Sequence, residues 1–359
     1  MSDFNPNIYW TVNGKQYSRK TEALKAATEQ DLKTVLFHYY NAEFRAANWI
    51  DEPEESFEQL CMQRAIQLRE TSKYLRLWYS GGADSHTMLT TFINANLRID
   101  EIVLVRASPI DDFESEANRE TFQRSMPYID AVRNLMPYTK ISVVDITADQ
   151  YLAHYKKPDW YLETTNYDFS DDPGILLGSR EAIAQHGGLA MNDDIVELTG
   201  GDKPRVIRQN GLYYAPIMDS QFSYLYWANV KEFFTTPEFP QLHVKQCHEL
   251  KRIIKQHFPD GKDIGAEVYN PQSLELDFQK KWKDCCRRHI RKELDFGKGW
   301  SLISPKCRLR VYESMDKNPE IFKHFKGSLR EFQAEIEHFW PDIQQGIAGI
   351  LADMYCIGK

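Results

Sequence analysis

The chain has 359 residues, 42% of them hydrophobic, and carries 44 Lys and Arg against 52 Asp and Glu, a net charge of −8. That length and apolar content allow two or three domains with a real core, and the acidic balance argues against bulk nucleic-acid binding. No run approaches the ~20 apolar residues of a membrane span, and the start Met1-Ser2-Asp3-Phe4-Asn5-Pro6 lacks the basic and apolar regions of a signal peptide, so a cytoplasmic protein with no membrane partner is expected.

Residues 8–12 and 16–18 flank Asn13-Gly14, the strongest short hairpin signal. A helix over 20–30, a strand over 34–40 and a helix over 55–70 follow, making residues 1–70 a small α+β segment. Then come an apolar strand beginning at Leu75, a helix over 86–96 and a second strand over 100–106, a βαβ unit of the size a parallel sheet needs. Residues 112–135 read as helix interrupted at Pro127. Strands over 141–146 and 194–199 continue the alternation, giving an α/β domain over 71–223. Residues 157–174, rich in Asp, Pro and Tyr, read as a long loop, either ordered over a site or a plain insertion. From Tyr224 the strand signals fade and helices are expected over 244–258, 277–294 and 328–339, punctuated by prolines, so 224–359 reads as a helical domain for a substrate or partner.

The most informative segment is Leu75-Arg76-Leu77-Trp78-Tyr79-Ser80-Gly81-Gly82-Ala83-Asp84-Ser85. A buried strand runs into a glycine turn and a helix start, where backbone amides and the helix dipole favour an anion. The duller alternative is a strand-to-helix turn that uses Gly-Gly and an Asp/Ser cap for structure alone. Neither a Gly-x-x-x-x-Gly-Lys-Ser/Thr loop nor a Gly-x-Gly-x-x-Gly stands here, which disfavours γ-phosphate transfer and dinucleotide binding. The order Ser-Gly-Gly-x-Asp-Ser closely resembles the pyrophosphate-binding loop of the PP-loop, or N-type, ATP pyrophosphatases. That resemblance implies a parallel-sheet domain of the adenine nucleotide alpha hydrolase-like (HUP-like) kind, which splits ATP between its α and β phosphates and adenylates a substrate.

A second glycine-rich strand exit, Thr199-Gly200-Gly201-Asp202-Lys203-Pro204-Arg205, is expected to face the same crevice. It is similar in part to the Ser-Gly-Glu-Gly-Ser-Asp loop in the synthetase domain of asparagine synthetases, without the middle acid. The PP-loop resemblance assigns Ser80, Gly81, Gly82, Asp84 and Ser85 to ATP, the partial likeness gives Asp202 a role near ATP or its magnesium, and Gly200 and Gly201 are expected to line the same nucleotide site, with Asp84 and Asp202 as candidates to position magnesium. Attack of a carboxylate, carbonyl or amide oxygen on the α phosphorus builds negative charge and expels pyrophosphate, so Lys203 and Arg205 are candidates to neutralise it, with Arg106 as a further ligand contact. Asp84 alternatively caps its helix, Lys203 and Arg205 alternatively are surface charges, and Arg106 alternatively pairs with Asp111 or Asp112. Arg180 and Arg208 are undecided, and His86, a lone histidine, is expected to pack or hydrogen-bond.

More distant resemblance extends to adenylylsulfate reductase-like proteins, but their C-terminal Glu-Cys-Gly-x-His segment is absent. So are the Cys-x-x-Cys pairs of tRNA-thiolating members and the leading cysteine of class II amidotransferases. The six cysteines, Cys61, Cys247, Cys285, Cys286, Cys307 and Cys356, form no regular framework and read as reduced core or surface thiols, with a thiol role as the alternative for the adjacent Cys285 and Cys286. The leading expectation is an ATP-dependent adenylating ligase or synthetase with ATP, Mg2+ and an external nucleophile, its acceptor and oligomeric state left open. One alternative is a tRNA- or DNA-modifying enzyme guided by the basic cluster Lys280, Lys281, Lys283, Arg287, Arg288, Arg291 and Lys292, which otherwise is a solvated helix face. Another is a regulatory module that holds adenine nucleotide without turnover.

Overall fold

The computed structural model describes residues 6–18, 20–27, 34–107, 125–146, 188–190, 194–200, 204–219, 229–265, 278 and 351–359. Its centre is a five-stranded parallel sheet built from β4 (Tyr74–Trp78), β5 (Glu101–Ala107), β6 (Lys140–Ile146), β7 (Ile195–Thr199) and β10 (Val230–Glu232). The spatial order is β10-β7-β4-β5-β6. The chain lays β4, β5 and β6 outward in one direction, then returns to the other side of β4 for β7 and β10. The direction of winding therefore reverses between β4 and β7, the place where open α/β sheets leave a crevice beyond the strand ends.

Strand alternation divides the side chains between the two faces. Leu75, Leu77 and Tyr79 enter the main core with Ile102 and Leu104. That core is covered by α3 (Phe57–Thr71) through Leu60 and Leu68, by α4 (Ala83–Asn94) through Leu89 and Phe92, and by α5 (Met126–Val132) through Ile129 and Val132. Each such aliphatic or aromatic side chain contributes about 1.5–3 kcal/mol on burial. Trp78, Val103 and Val144 form a smaller cluster on the opposite face. Helix α3 starts at a capping box in which Ser56 Oγ accepts from Gln59 N at 3.2 Å and Gln59 Oε1 accepts from Ser56 N at 2.8 Å. Pro127 stands in the first turn of α5, just after the helical backbone of Ser125, and the part of the expected helix over 112–124 lies outside the described residues.

In the N-terminal segment the expected hairpin, strand and 55–70 helix are present, while residues 28–30 of the expected 20–30 helix lie outside the described residues. Strands β1 (Ile8–Val12) and β2 (Lys15–Tyr17) form a hairpin through Asn13 and Gly14, both at positive φ (48° and 80°), and β3 (Val35–Tyr39) pairs antiparallel on the other side of β1. Helix α1 (Lys20–Ala27) follows the hairpin, and α2 (Asn41–Ala46) follows β3. A second antiparallel sheet, β11-β9-β8, joins β8 (Ile207–Gln209) and β9 (Leu212–Met218) through Asn210-Gly211, again at positive φ, and adds β11 (Leu351–Cys356). Tyr355 of β11 stacks on Trp49 at 4.3 Å with the rings 5° from parallel, so this sheet is fastened to the N-terminal segment. A buried ion pair, Lys20 Nζ to Asp219 Oδ2 at 2.9 Å, makes a second fastening, with Trp10 Nε1 donating to the same oxygen at 3.1 Å.

The helical expectation for 224–359 needs correction in two places. Val230–Glu232 is the fifth strand of the parallel sheet, and Leu351–Cys356 is a strand paired with β9. Helix α6 (Pro240–His257) lies where residues 244–258 were expected to be helical. The expected loop over 157–174, the expected helix over 328–339, nearly all of the one over 277–294, and Arg180 lie outside the described residues, as do Asp111, Asp112 and the basic cluster. Among the described residues no helix is long and apolar enough to cross a membrane.

Candidate functional site

Strand β4 ends at Trp78, and Tyr79 still bonds to the neighbouring strand through its N–H to Val103 O at 2.9 Å. The chain then turns at Gly81, whose φ of +73° suits glycine, and enters α4 with Gly82 as the N-cap. The first helical hydrogen bond runs from His86 N to Gly82 O at 2.9 Å. Because the N-cap is glycine it brings no side-chain oxygen to the helix start, which is the position an external anion occupies at such sites.

Two serines brace this turn. Ser80 Oγ accepts from Gly82 N at 3.1 Å, Ser85 Oγ donates to Gly82 O at 3.0 Å, and the two hydroxyl oxygens are 3.2 Å apart. With the Ser85 proton directed to Gly82, the hydrogen bond between the hydroxyls takes its proton from Ser80. Beneath the turn, Tyr79 Oη and His86 Nδ1 share a buried hydrogen bond of 3.0 Å, and the His86 ring meets Tyr128 edge-on with centroids 4.1 Å apart. The residues flanking the 80–85 turn are thereby tied to each other, and His86 has the packing and hydrogen-bonding role expected of it.

The second loop comes directly alongside. Strand β7 runs parallel to β4 with Leu77 opposite Leu198, and Gly200 follows one residue after its end. A Cβ placed on Gly200 would stand 2.7 Å from the Asp84 Cβ, 3.4 Å from Met88 Cε and 3.6 Å from Phe234 Cε2. Only glycine fits that approach. Ser80, Gly81, Gly82, Asp84, Ser85 and Gly200 are thus gathered at the carboxyl ends of β4 and β7, where the winding of the sheet reverses. Gly201, Asp202 and Lys203 lie outside the described residues, so the expected second magnesium ligand and the expected cation are not located. Arg205 places Nη1 3.8 Å from Met218 Sδ, beside the end of β9. Arg106 lies near the end of β5 with its backbone opposite Asp145 of β6, and its side chain is outside the described part. Arg208, undecided from sequence, is a structural clamp. Its Nη1 donates to Phe258 O at 3.0 Å and to Tyr213 Oη at 3.2 Å, and its Nε donates to Lys262 O, which closes the end of α6.

Behind the loops, a ladder of charge crosses the sheet. Arg76 of β4 is 1% exposed and bonds to carboxylates on both neighbouring strands, Nε to Glu101 Oε2 at 2.8 Å and Nη1 to Glu197 Oε1 at 2.6 Å. The other Glu197 oxygen accepts from Trp78 Nε1 at 2.6 Å. Burial alone would raise the Glu101 pKa, but bonds from Ser142, Lys140 and Arg76, with the Arg76 charge, outweigh it and hold the carboxyl down at about 2. No motif marks Arg76, Trp78 or Glu197; the only sequence signal was a charged residue inside each apolar strand. Glu197 lies in β7, just before the segment that resembles the asparagine synthetase loop, and that likeness gives it no part.

Chemically, the arrangement offers a backbone-lined turn at a helix N-terminus, two hydroxyls, a half-buried Asp84, and Gly200 at the end of β7 close against it. These groups suit a polyanion with a bound cation better than a covalent nucleophile. No protein-family model matches the chain, and no curated protein matches its sequence.

Proposed function

We propose that the protein is an ATP pyrophosphatase of the PP-loop kind, which adenylates an acceptor oxygen and releases pyrophosphate. The observation that carries this reading is the contact of Gly200 with Asp84 at the β4–β7 reversal, behind a turn of sequence Ser-Gly-Gly-x-Asp-Ser. In the reaction, an acceptor oxygen forms a bond to the α phosphorus, the bond from that phosphorus to the bridging oxygen breaks, and pyrophosphate leaves with the electron pair. The amides and hydroxyls of the 80–85 turn receive the leaving pyrophosphate, and the N-terminal dipole of α4 favours its charge. Asp84 and Asp202 are the residues to hold magnesium, which supplies charge neutralisation on the phosphates. Lys203 is the cation for the developing charge.

The test is incubation of the protein with α-labelled ATP, magnesium and separate small-metabolite and RNA fractions, followed by separation of AMP, ADP and labelled adducts. AMP with pyrophosphate, dependent on one fraction and lost in Asp84→Ala, supports the reading and identifies the acceptor class. ADP as the product overturns it. Binding of ATP without turnover in any fraction favours a regulatory nucleotide-binding module instead.

A further inference from the structure

The Glu197–Arg76–Glu101 ladder is costly to bury. Arg76 and Glu101 are each 1% exposed and Glu197 is 13% exposed, and withdrawing such ions from water costs several kcal/mol each. The same face holds Trp78, Val103 and Val144 in an apolar cluster, so apolar side chains are accommodated in this layer. Replacing buried ion pairs by apolar residues is often neutral or stabilising, which makes cohesion of the sheet a poor reason for the ladder. What a planar guanidinium gripping two carboxylates adds is direction, because its donors fix where each partner strand stands along the neighbouring one.

Glu197 has the most constraining position. It takes one donor from Arg76 and one from Trp78, two residues on the same strand, so β7 is held against β4 at two points. Trp78 precedes Ser80 by two residues, and Glu197 precedes Gly200 by three. The links therefore lie immediately behind the place where the two loops touch, and the 2.7 Å that a Cβ at position 200 would leave to Asp84 allows no slip of one strand past the other. We infer that Glu197 is a positioning residue whose carboxylate, held by Arg76 and Trp78, sets the spacing between the 80–85 turn and the Gly200 loop. The inference rests on the ATP reading only in naming phosphate as the group that the spacing serves.

The test compares Glu197→Gln, Glu197→Ala and Glu101→Gln in the full chain. Glu101→Gln damages the same ladder on the side away from Gly200 and serves as the control for general loosening. Hydrogen–deuterium exchange is expected to quicken about tenfold or more in peptides covering 79–86 and 195–200 in the Glu197 variants, and to stay at the wild-type rate there in Glu101→Gln. Affinity for MgATP is expected to fall about tenfold or more in Glu197→Gln, and to change by less than about twofold in Glu101→Gln. Unchanged exchange at both loops in the Glu197 variants, or equal acceleration in Glu101→Gln, overturns the inference. If Glu197→Ala does not fold, the isosteric Glu197→Gln decides. If wild-type protein binds no MgATP, the functional reading falls, and the exchange result still decides the positioning role.

Discussion

Gly200 touches Asp84 so closely that a side chain at position 200 has no room, since its first carbon would lie 2.7 Å from the Asp84 Cβ. Gly200→Ala is therefore expected to push the two loops apart and to destabilise the protein by about 1–3 kcal/mol, the usual cost of overpacking. Urea unfolding checks the stability, and MgATP titration checks the site, where binding is expected to be lost. Gly82→Ala is expected to be milder, because its Cβ would meet the movable Ser80 Oγ at 3.1 Å. A Gly200→Ala variant with wild-type stability would contradict the geometry.

The clasp beneath the turn gives a separate prediction. Tyr79→Phe removes the hydroxyl that faces His86 Nδ1 at 3.0 Å in a buried setting, and is expected to cost about 1–3 kcal/mol. Weaker MgATP binding should accompany the loss, because the turn is anchored at both ends by this pair. Chemical denaturation of the variant measures the first effect and calorimetric titration the second; a stable variant with full affinity would show that the clasp does not serve the turn.

Among the described groups that tie stability to pH, His243 and Glu101 have the clearest effects. Complete burial lowers the His243 pKa to about 3, and its ring stands edge-on to Phe44 and Trp49 with Nδ1 2.7 Å from Thr235 Oγ1. In the unfolded chain this histidine takes up a proton near its ordinary pKa of about 6.5, whereas the folded chain does not. Its contribution to stability is therefore whole above that pH and is lost as pH falls toward 3, at about 1.4 kcal/mol per pH unit. Unfolding free energies should carry this slope from about pH 6.5 down to 5 but not between pH 7.5 and 6.5, and His243→Gln should reduce it by about 1.4 kcal/mol per pH unit. Glu101, held at about 2, acts in the same direction but lower, its contribution present above the ordinary carboxylate range and lost as pH falls toward 2. Glu101→Gln should accordingly narrow its stability gap to wild type below about pH 4.

The buried pair of Lys20 and Asp219 joins α1 to the end of β9. Asp219→Ala leaves the ammonium without this carboxylate and is expected to cost about 3–5 kcal/mol, whereas Lys20→Met with Asp219→Leu should recover most of the loss. Thermal melts of the single and double variants measure both. A double variant no better than Asp219→Ala would mean that the pair's value is not electrostatic.

Much of the fold is legible wherever one short stretch determines its own shape. Asn13-Gly14 announces its hairpin, and Gly81-Gly82 between an apolar strand and a helix announces the turn of the candidate site. Asn210-Gly211 carries the same hairpin signal and joins β8 to β9, with Tyr213 beyond it lying under Arg208, Lys251 and Lys255. Strand β10 was missed because Val230-Lys231-Glu232 is too short to show a pattern, and β11 because its pairing is made by β9, far away in sequence. The ladder was illegible for the same reason. Arg76 meets Glu197 across 121 positions only once the strands are in register, and register is a property of the assembled sheet.

The stacking of Tyr355 on Trp49 and the pairing of Tyr355 with Ala215 also bear on the order of assembly. Contacts so distant along the chain reward the molecule only after a long loop has closed, which places them among the slowest to form. The β4–β5–β6 half of the parallel sheet and its α3–α4 cover draw on nearer contacts and can mature first, whereas β7 joins β4 across 121 positions and shares the slower class. Among the described residues the meeting of Tyr355 with Trp49 spans 306 positions, and a refolding chain should regain the 80–85 turn before Trp49 acquires its stacking partner.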